Sequence, residues 1–225
     1  MSEAPDHAAL MDKVYRRQRY IYDLTRKYYL FGRDRLIREL DLKPGARVIE
    51  IGCGTARNLV KIGQAYPDAK LFGLDASSEM LISARASAAR ANMQDRVKFV
   101  QAYAEDLTPS LFGESAPFDA AVFSYSLSMI PDWKKALHAA QANLAPGGRV
   151  YVVDFGDLTG LGPIAERVLR FWLSLFHVAP REELLHTIAR GDGRAPFGKL
   201  ALLPARYAFV WNAERNAAFW DGAFR

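Results

Sequence analysis

Two carboxylates and two glycines between residues 50 and 75 have types and a spacing that could bind a small ligand. Apolar residues around Glu50 predict a buried parallel strand, which Gly52 and Gly54 follow at once. Glycine lacks a Cβ, so the chain can turn sharply there and a ligand can approach the backbone. The next helix begins at this turn with free N–H groups. Asp75 follows about 25 residues after Glu50, which suits the far end of a β-α-β unit.

The spacing of the glycines distinguishes two kinds of nucleotide site. A dinucleotide fingerprint, G-x-G-x-x-G, would place its third glycine at position 57, where this chain has Arg57. The NAD or FAD interpretation is therefore weakened. The string from Glu50 to Asn58, E-I-G-C-G-T-A-R-N, instead resembles motif I of the class I S-adenosylmethionine-dependent methyltransferases. Most members of that family have glycine where this chain has Ala56.

This resemblance implies S-adenosylmethionine as the cofactor and suggests its contacts. The family's acid at the position of Glu50 faces the methionyl amino group. A carboxylate at Asp75 can accept hydrogen bonds from the ribose hydroxyls, although it could instead cap the next helix. The segment from Ala104 to Leu107, A-E-D-L, resembles the family's adenine-bordering segment, which often has Asp where this chain has Tyr103. The predicted cofactor-binding residues are Glu50, Gly52, Gly54, Asn58, Asp75, Ala76, Ala104, Glu105 and Ser124.

Strand and helix patterns alternate from residue 46 onward. Strands are predicted at 47–51, 70–74, 97–101, 118–124 and 149–154, and helices at 56–66, 77–92 and 134–143. Apolar runs at 200–203 and 207–211 suit a closing antiparallel pair. We therefore predict an α/β fold, a Rossmann-like doubly wound sheet that is mostly parallel with a closing antiparallel strand. Residues 1–40 are predicted to form an N-terminal helical cap that contacts a membrane, and residues 41–225 the methyltransferase domain.

Basic side chains are concentrated near the N-terminal end of the sequence. The formal net charge is +5, and nine basic residues lie between Lys13 and Arg38 against two acidic ones, with aromatic residues interleaved. Such a segment could be a solvated helix, bind nucleic acid, or lie on an anionic membrane surface. No RNP, KH, helix-turn-helix or zinc signature accompanies the charge. We therefore expect contacts with anionic lipids, and neither nucleic acid nor a metal as partner.

Cysteine content and hydropathy indicate a compartment. The single cysteine, Cys53, excludes an internal disulfide and fits a reducing environment. We find no signal peptide and no run of about 18 apolar residues. The sequence thus predicts a cytoplasmic protein that associates peripherally with the inner membrane.

The methyl acceptor is expected near residues 123–131, F-S-Y-S-L-S-M-I-P, where the fourth strand ends. The N-P-P-Y motif of DNA and some protein N-methyltransferases is absent. Tyr125 and the neighbouring serines could present hydroxyls to a polar head group. Residues 158–180 are too apolar for an ordinary surface helix and too short to span a bilayer. That segment fits either an interfacial helix in contact with lipid or a helix buried against the sheet.

Three segments carry a narrower resemblance. Residues 15–33, residues 123–131 and residues 176–181 (F-H-V-A-P-R) are similar to the bacterial betaine-lipid N-methyltransferases, which are related to bacterial phospholipid N-methyltransferases. This implies triple N-methylation of diacylglycerylhomoserine. Alternatives are a phosphatidylethanolamine N-methyltransferase, a methyltransferase for a small soluble acceptor, and a non-catalytic S-adenosylmethionine-binding membrane protein.

The catalytic predictions follow from that resemblance and from position. Tyr22 is expected over the methyl group, and Asp23 is expected to stabilise the cation that transfer creates. Tyr125 is the third predicted catalytic residue, and Asp154 and His177 are further candidates. Transfer to an amine chiefly requires alignment of the two reacting atoms and a deprotonated nitrogen.

Overall fold

A seven-stranded sheet forms the centre of the molecule. The computed structural model describes residues 30–176, 178–190 and 197–216. The strands are β1 (Arg47–Ile51), β2 (Lys70–Asp75), β3 (Val97–Gln101), β4 (Phe118–Ser124), β5 (Leu144–Phe155), β6 (Lys199–Leu202) and β7 (Ala208–Glu214). Their order is β3-β2-β1-β4-β5-β7-β6. Strands β1 to β5 pair in parallel, and β7 runs antiparallel to both β5 and β6. The predicted fold class is confirmed.

Helices cover both faces of this sheet. They are α1 (Arg33–Arg38), α2 (Arg57–Ala65), α3 (Ser78–Arg90), α4 (Trp133–Ala142), α5 (Pro163–Ser174) and α6 (Glu182–Arg190). Of the two large core clusters, one contains Val48, Leu59 and Tyr151, and the second contains Ile49 and Trp211. Neighbouring residues of β1 thus enter different cores, as alternation along a strand requires. Because both of their faces are buried, the central strands β1 and β4 are largely apolar.

Some predicted element boundaries were wrong by a few residues. The fifth strand begins at Leu144 instead of residue 149, because its pairing with β4 shifts register between Phe118↔Leu144 and Ala120↔Arg149. The Pro146-Gly147-Gly148 segment forms that irregularity, and Gly147 has a φ of 77°. Helix α2 begins one residue later than predicted, because Ala56 has left-handed φ and ψ of 61° and 21°.

The last part of the predicted N-terminal cap packs against the core. Leu30, Leu36, Ile37 and Leu40 are all buried in the first core cluster. The domain boundary at residue 40 stays a prediction. Residues 1–29, with the predicted catalytic Tyr22 and Asp23, lie outside the described residues, as does His177.

Helix α5 has an inner and an outer apolar face. Leu173 is buried, and Leu169 and Trp172 pack against the core. The outer face carries four large apolar side chains that are more than half exposed, namely Ile164, Val168, Phe171 and Leu175. In the described parts of the chain, no helix has the length and apolar character needed to cross a membrane.

Candidate cofactor and acceptor site

The glycine-containing turn after β1 is held against the end of β2. The backbone N–H groups of Gly52 and Cys53 donate to the carbonyl of Leu74, with N–O distances of 2.8 and 3.0 Å. Gly52 has a φ of 71°, and a Cβ built on it would lie 2.5 Å from the Cβ of Ser126. Only glycine satisfies both the left-handed backbone and this close approach. The turn therefore lies directly against the segment that follows β4.

Asp75 fixes this turn through both carboxylate oxygens. Oδ2 accepts from the Gly54 amide at 2.8 Å, and Oδ1 accepts from the Ser77 amide at 2.9 Å. The Ser77 hydroxyl in turn accepts from the Met80 amide and caps α3. Asp75 thus has the local bracing role that was the alternative to ribose binding. The two roles are compatible, because each carboxylate oxygen can accept more than one hydrogen bond.

A cavity of about 310 Å³ opens at the carboxyl ends of the strands. Ligands of doubly wound sheets bind at this edge, and the volume lies at the lower end of the range for ligand sites. The cavity brings together seven of the predicted site residues: Gly52, Gly54, Asp75, Ala76, Ala104, Glu105 and Tyr125. Tyr103, which replaces the family's Asp, also lies on its wall.

Glu50 and Asn58 lie behind the turn and do not line this cavity. The Asn58 Nδ2 donates to Glu50 Oε1 at 2.7 Å, and Glu50 is 1% exposed. Glu50 Oε2 has no hydrogen-bond partner among the described residues. Burial raises the pKa of Glu50 to about 7, with the Asn58 hydrogen bond opposing the shift. A buried carboxylate with one open oxygen fits the cationic amino end of S-adenosylmethionine.

Tyr125 adopts a strained backbone conformation on the cavity wall. Its φ is 55°, a left-handed value that is uncommon for a bulky residue. Its hydroxyl donates to the Phe31 carbonyl at 2.6 Å, and its ring packs edge-on against Phe155 with 4.8 Å between centroids. The hydroxyl of the neighbouring Ser124 is buried behind the wall. The Tyr125 side chain thus links the site to the N-terminal part of the chain.

The segment after β4, where the methyl acceptor is predicted, forms one wall of the cavity through Ser126, Met129, Ile130, Pro131 and Asp132, and this wall is called the acceptor side. Arg181 holds this segment, because its guanidinium donates to the Leu127 and Ile130 carbonyls at 2.9 and 2.7 Å. The fully buried Asp154 accepts from the Ser128 amide at 3.0 Å, and burial raises its pKa to about 6. Asp154 therefore braces the wall from behind, and it does not face the cavity.

Sequence reasoning missed the bracing role of Arg181 and the place of Asp132 on the cavity wall. Arg181 contacts carbonyls more than 50 residues away, so no local pattern could indicate it. Within the described residues, no group of three or more His, Cys, Asp or Glu side chains is arranged to hold a metal ion.

The fold and this site together define a class. A Rossmann-like sheet with one antiparallel strand, a glycine turn after β1 and an acid at the end of β2 are the features of a class I methyltransferase. Residues 42–184 match the family model described as a methyltransferase domain, and the chain belongs to this family of S-adenosylmethionine-dependent enzymes.

Two curated relatives align over most of the chain. The ubiquinone/menaquinone biosynthesis C-methyltransferase UbiE of Syntrophotalea carbinolica is 31% identical over 181 residues, which are 78% of this chain and 70% of the relative. The demethylmenaquinone methyltransferase of Corynebacterium glutamicum strain R is 30% identical over 93% of this chain and 81% of its own length.

Solved structures show the same fold at lower identity. The S-adenosylmethionine-dependent methyltransferase SibL in its apo form has a TM-score of 0.64 at 21% identity, covering 87% of this chain and 57% of that one. A SAM-dependent methyltransferase from Aquifex aeolicus has a TM-score of 0.61 at 16% identity, and the match covers 85% of this chain and 93% of that one. S-adenosylmethionine is therefore the cofactor that the family and the site imply.

Proposed function

We propose that this chain methylates the head-group amine of a membrane lipid at the inner-membrane surface. The proposed acceptor is diacylglycerylhomoserine, and the proposed product is its trimethylated betaine lipid. One observation carries the proposal: α5 has an exposed apolar face, and the segment that follows this helix contacts the wall of the cofactor cavity. The resemblance of residues 15–33, 123–131 and 176–181 to betaine-lipid N-methyltransferases supports the choice of head group.

The outer face of α5 has the pattern of an interfacial helix. Ile164, Val168, Phe171 and Leu175 recur at intervals of four, three and four residues, which places them on one side of a helix. They are 81, 63, 67 and 56% exposed. Contiguous exposed apolar side chains mark interaction sites on soluble domains. A lipid bilayer is the partner that would bury such a face without a complementary protein surface.

The C-terminal end of α5 is joined to the cavity wall. Phe176 packs against Met80, and so does Met129, which lines the cavity. The Ala179 amide donates to the Ser128 carbonyl at 2.8 Å. A lipid could therefore keep its acyl chains in the bilayer that contacts the outer face of α5 while its head group reaches the cavity.

The residues of this chain would supply alignment and proton removal. When bound, S-adenosylmethionine supplies an electrophilic methyl group, and its transfer forms one nitrogen–carbon bond as one sulfur–carbon bond breaks. Ser126 lines the cavity, and its buried hydroxyl has no hydrogen-bond partner among the described residues, so rotation of the side chain would offer it to a polar head group. The first two methylations each leave an ammonium that must lose a proton before the next, whereas the third leaves a quaternary ammonium. Tyr22 and Asp23 remain the proposed residues for orienting the amine and stabilising this cation.

A second candidate is C-methylation of a quinone-type acceptor. The names of the two curated relatives favour it, because both refer to quinone methylation. Such an acceptor is also apolar, so the outer face of α5 does not separate the two candidates. Phosphatidylethanolamine is the other amine acceptor to be compared.

The decisive experiment is transfer of label from methyl-labelled S-adenosylmethionine to defined vesicles. Separate sets would contain diacylglycerylhomoserine, phosphatidylethanolamine or demethylmenaquinone, with Asp75→Ala as the inactive control. We expect the homoserine lipid to gain one, two and three methyl groups by mass. Label on phosphatidylethanolamine or on the quinone alone would overturn the proposed acceptor. No label in any set, with the cofactor bound, would favour a soluble acceptor or a non-catalytic protein.

A further inference from the structure

A second groove, of about 600 Å³, lies beside the motif I turn. We propose that this groove binds the phosphate of an anionic phospholipid, next to the site of the acceptor lipid. The inference rests on the proposed function insofar as it assumes that this face meets a membrane. It adds a second lipid of different chemistry, which is held and not methylated.

One wall of the groove is basic. It is formed by four arginines, namely Arg33, Arg35, Arg38 and Arg57. Asp34, the acid in the same lining, pairs with Arg57 and Lys61 at 2.8 and 2.9 Å. The hydrogen bond from Lys61 and the nearby Arg57 hold the pKa of Asp34 at about 2, which indicates a positive local potential. Arg35 pairs with Glu39 at 2.7 Å. Arg35, Arg38, Arg57 and Lys61 still outnumber the two acids Asp34 and Glu39, so positive charge remains in excess along this wall.

The opposite wall is apolar. Phe31, Leu161 and Tyr207 line it, and the Phe31 and Tyr207 rings pack edge-on with 5.5 Å between centroids. The exposed fraction of Phe31 is 58%. A row of arginines facing aromatic and aliphatic side chains suits an amphipathic anion, because guanidinium groups bind phosphate oxygens and the other wall accepts hydrocarbon.

The groove connects with both parts of the proposed acceptor site. The Phe31 carbonyl on its wall accepts the hydroxyl of Tyr125, which lines the cofactor cavity. Leu161 lies two residues before α5, whose outer face is the proposed bilayer contact. A phospholipid held here would anchor the protein with the cavity facing the membrane.

Charge argues against residues 13–29, which directly precede the groove residues in sequence, as the occupant. Residues 13–29 carry six basic side chains and one acidic one, so a basic groove would repel them. An anionic head group has the complementary charge. Each basic side chain near an anionic membrane contributes about 1 kcal/mol of attraction, so two arginines correspond to roughly a thirty-fold change in partitioning.

The test is sedimentation of the full-length protein with vesicles that contain no acceptor lipid and no S-adenosylmethionine. The partitioning of the wild type and of Arg35→Gln/Arg38→Gln would be measured on phosphatidylcholine vesicles with and without about one fifth phosphatidylglycerol. The matched control is Lys70→Gln/Arg90→Gln, two exposed charges at the start of β2 and the end of α3. Both positions lie at the opposite edge of the sheet. Arg38→Glu, at an exposed position, provides a second variant of the groove.

We expect the groove variants to lose partitioning to anionic vesicles by about ten- to thirty-fold. We expect the control to stay within about threefold of the wild type. Wild-type partitioning of the groove variants would overturn the proposal. If the groove variants melted at a lower temperature without vesicles and partitioned like the wild type, the proposal would also be overturned. The arginines would then stabilise another part of the chain. Binding of inorganic phosphate by a wild-type protein that does not bind the anionic vesicles would indicate a soluble phosphate ligand. That result would also overturn the proposal. Failure of lipid methylation alone would contradict the proposed acceptor and leave this binding result standing.

Discussion

The cofactor side and the acceptor side of the cavity are built in different ways. On the cofactor side, short hydrogen bonds from Gly52, Cys53 and Gly54 fasten the motif I turn to the end of β2. On the acceptor side, Tyr125 has a left-handed backbone with a φ of 55°. Three further non-glycine residues with left-handed backbones, Leu158, Ala205 and Arg206, lie in the loops after β5 and before β7. On the cofactor side, Ala56 also has such a backbone. Such conformations persist only where surrounding contacts enforce them, and they are concentrated at functional sites.

Long-range contacts hold both the wall after β4, through Arg181, and the two loops beside β5 and β7. Arg206 forms a bidentate ion pair with Asp157, 49 residues away. A Cβ on Gly156 would lie 2.1 Å from the Arg206 carbonyl oxygen, so the two loops are in direct contact. The cofactor side thus depends on local spacing, whereas the acceptor side depends on long-range contacts. This difference suits a constant cofactor and an acceptor that varies among relatives.

The largest expected effect is on the cofactor side. Asp75→Ala removes the acceptor of the Gly54 and Ser77 amides together with the proposed ribose contact. We expect the affinity for S-adenosylhomocysteine to fall by at least about 100-fold, because charged hydrogen bonds are lost. Calorimetry would measure it, with the exposed Asp95→Ala as control. Affinity within threefold of the wild type would contradict the cofactor assignment.

On the acceptor side, the outer face of α5 can be tested without the cofactor. Val168→Ser/Phe171→Ser removes two exposed apolar side chains and leaves the inward Leu173 in place. We expect partitioning to vesicles to fall by about tenfold or more, because less apolar area leaves water. Ile82→Ser, at a similarly exposed position on α3, is the control. Equal partitioning of both variants would argue against α5 as the membrane contact.

Tyr125 lies between the two sides. Tyr125→Phe keeps the ring against Phe155 and removes the hydrogen bond to the Phe31 carbonyl. We expect methyl transfer to slow by about tenfold while the affinity for S-adenosylhomocysteine stays the same. Tyr151→Phe is the control, because its hydroxyl accepts from the Asp41 amide at the other edge of the sheet. A full rate in Tyr125→Phe would place the orienting role elsewhere.

The raised pKa of Glu50 predicts a pH dependence of stability. Between the ordinary value of 4.5 and about 7, the folded protein binds a proton at Glu50 that the unfolded chain does not. The free energy of unfolding should therefore fall as pH rises through this range. Glu50→Gln should make the fall shallower, and Asp154 should leave a residual fall up to about pH 6. Denaturant unfolding of the wild type and of Glu50→Gln between about pH 5 and about pH 8 would measure this pH dependence. The same dependence of the free energy of unfolding on pH in both proteins would refute the raised pKa of Glu50.

The smallest expected effect concerns Ala56. Its φ of 61° is unfavourable for alanine by about 1 kcal/mol, and the family usually has glycine at this position. Ala56→Gly should raise the free energy of unfolding by up to about 1 kcal/mol. Ala86→Gly, at an exposed position in the interior of α3, should lower it by about 1 kcal/mol. Destabilisation by both variants would contradict the observed turn geometry.

The same comparison explains what the sequence could predict. The bounds of β1, β3 and β4 agree with the predicted strands, because apolar runs between turn residues determine them locally. Gly52 and Asp75 were predicted in the site for the same reason, and they lie on the cavity. The start of β5 was wrong, because register with a neighbouring strand determines it. Arg181 was missed, since nothing near it in sequence indicates its partners.

Hydrogen–deuterium exchange of the full-length protein would test the division between the two sides most directly. The protein would be compared alone, with S-adenosylhomocysteine, with diacylglycerylhomoserine vesicles, and with both. We predict that the cofactor product slows exchange in residues 52–58, 75–77 and 103–105. The vesicles should slow it in residues 164–175, the α5 segment that carries the outer apolar face. Unchanged exchange of α5 with vesicles, alongside protection of the cofactor segments, would contradict the membrane-lipid account.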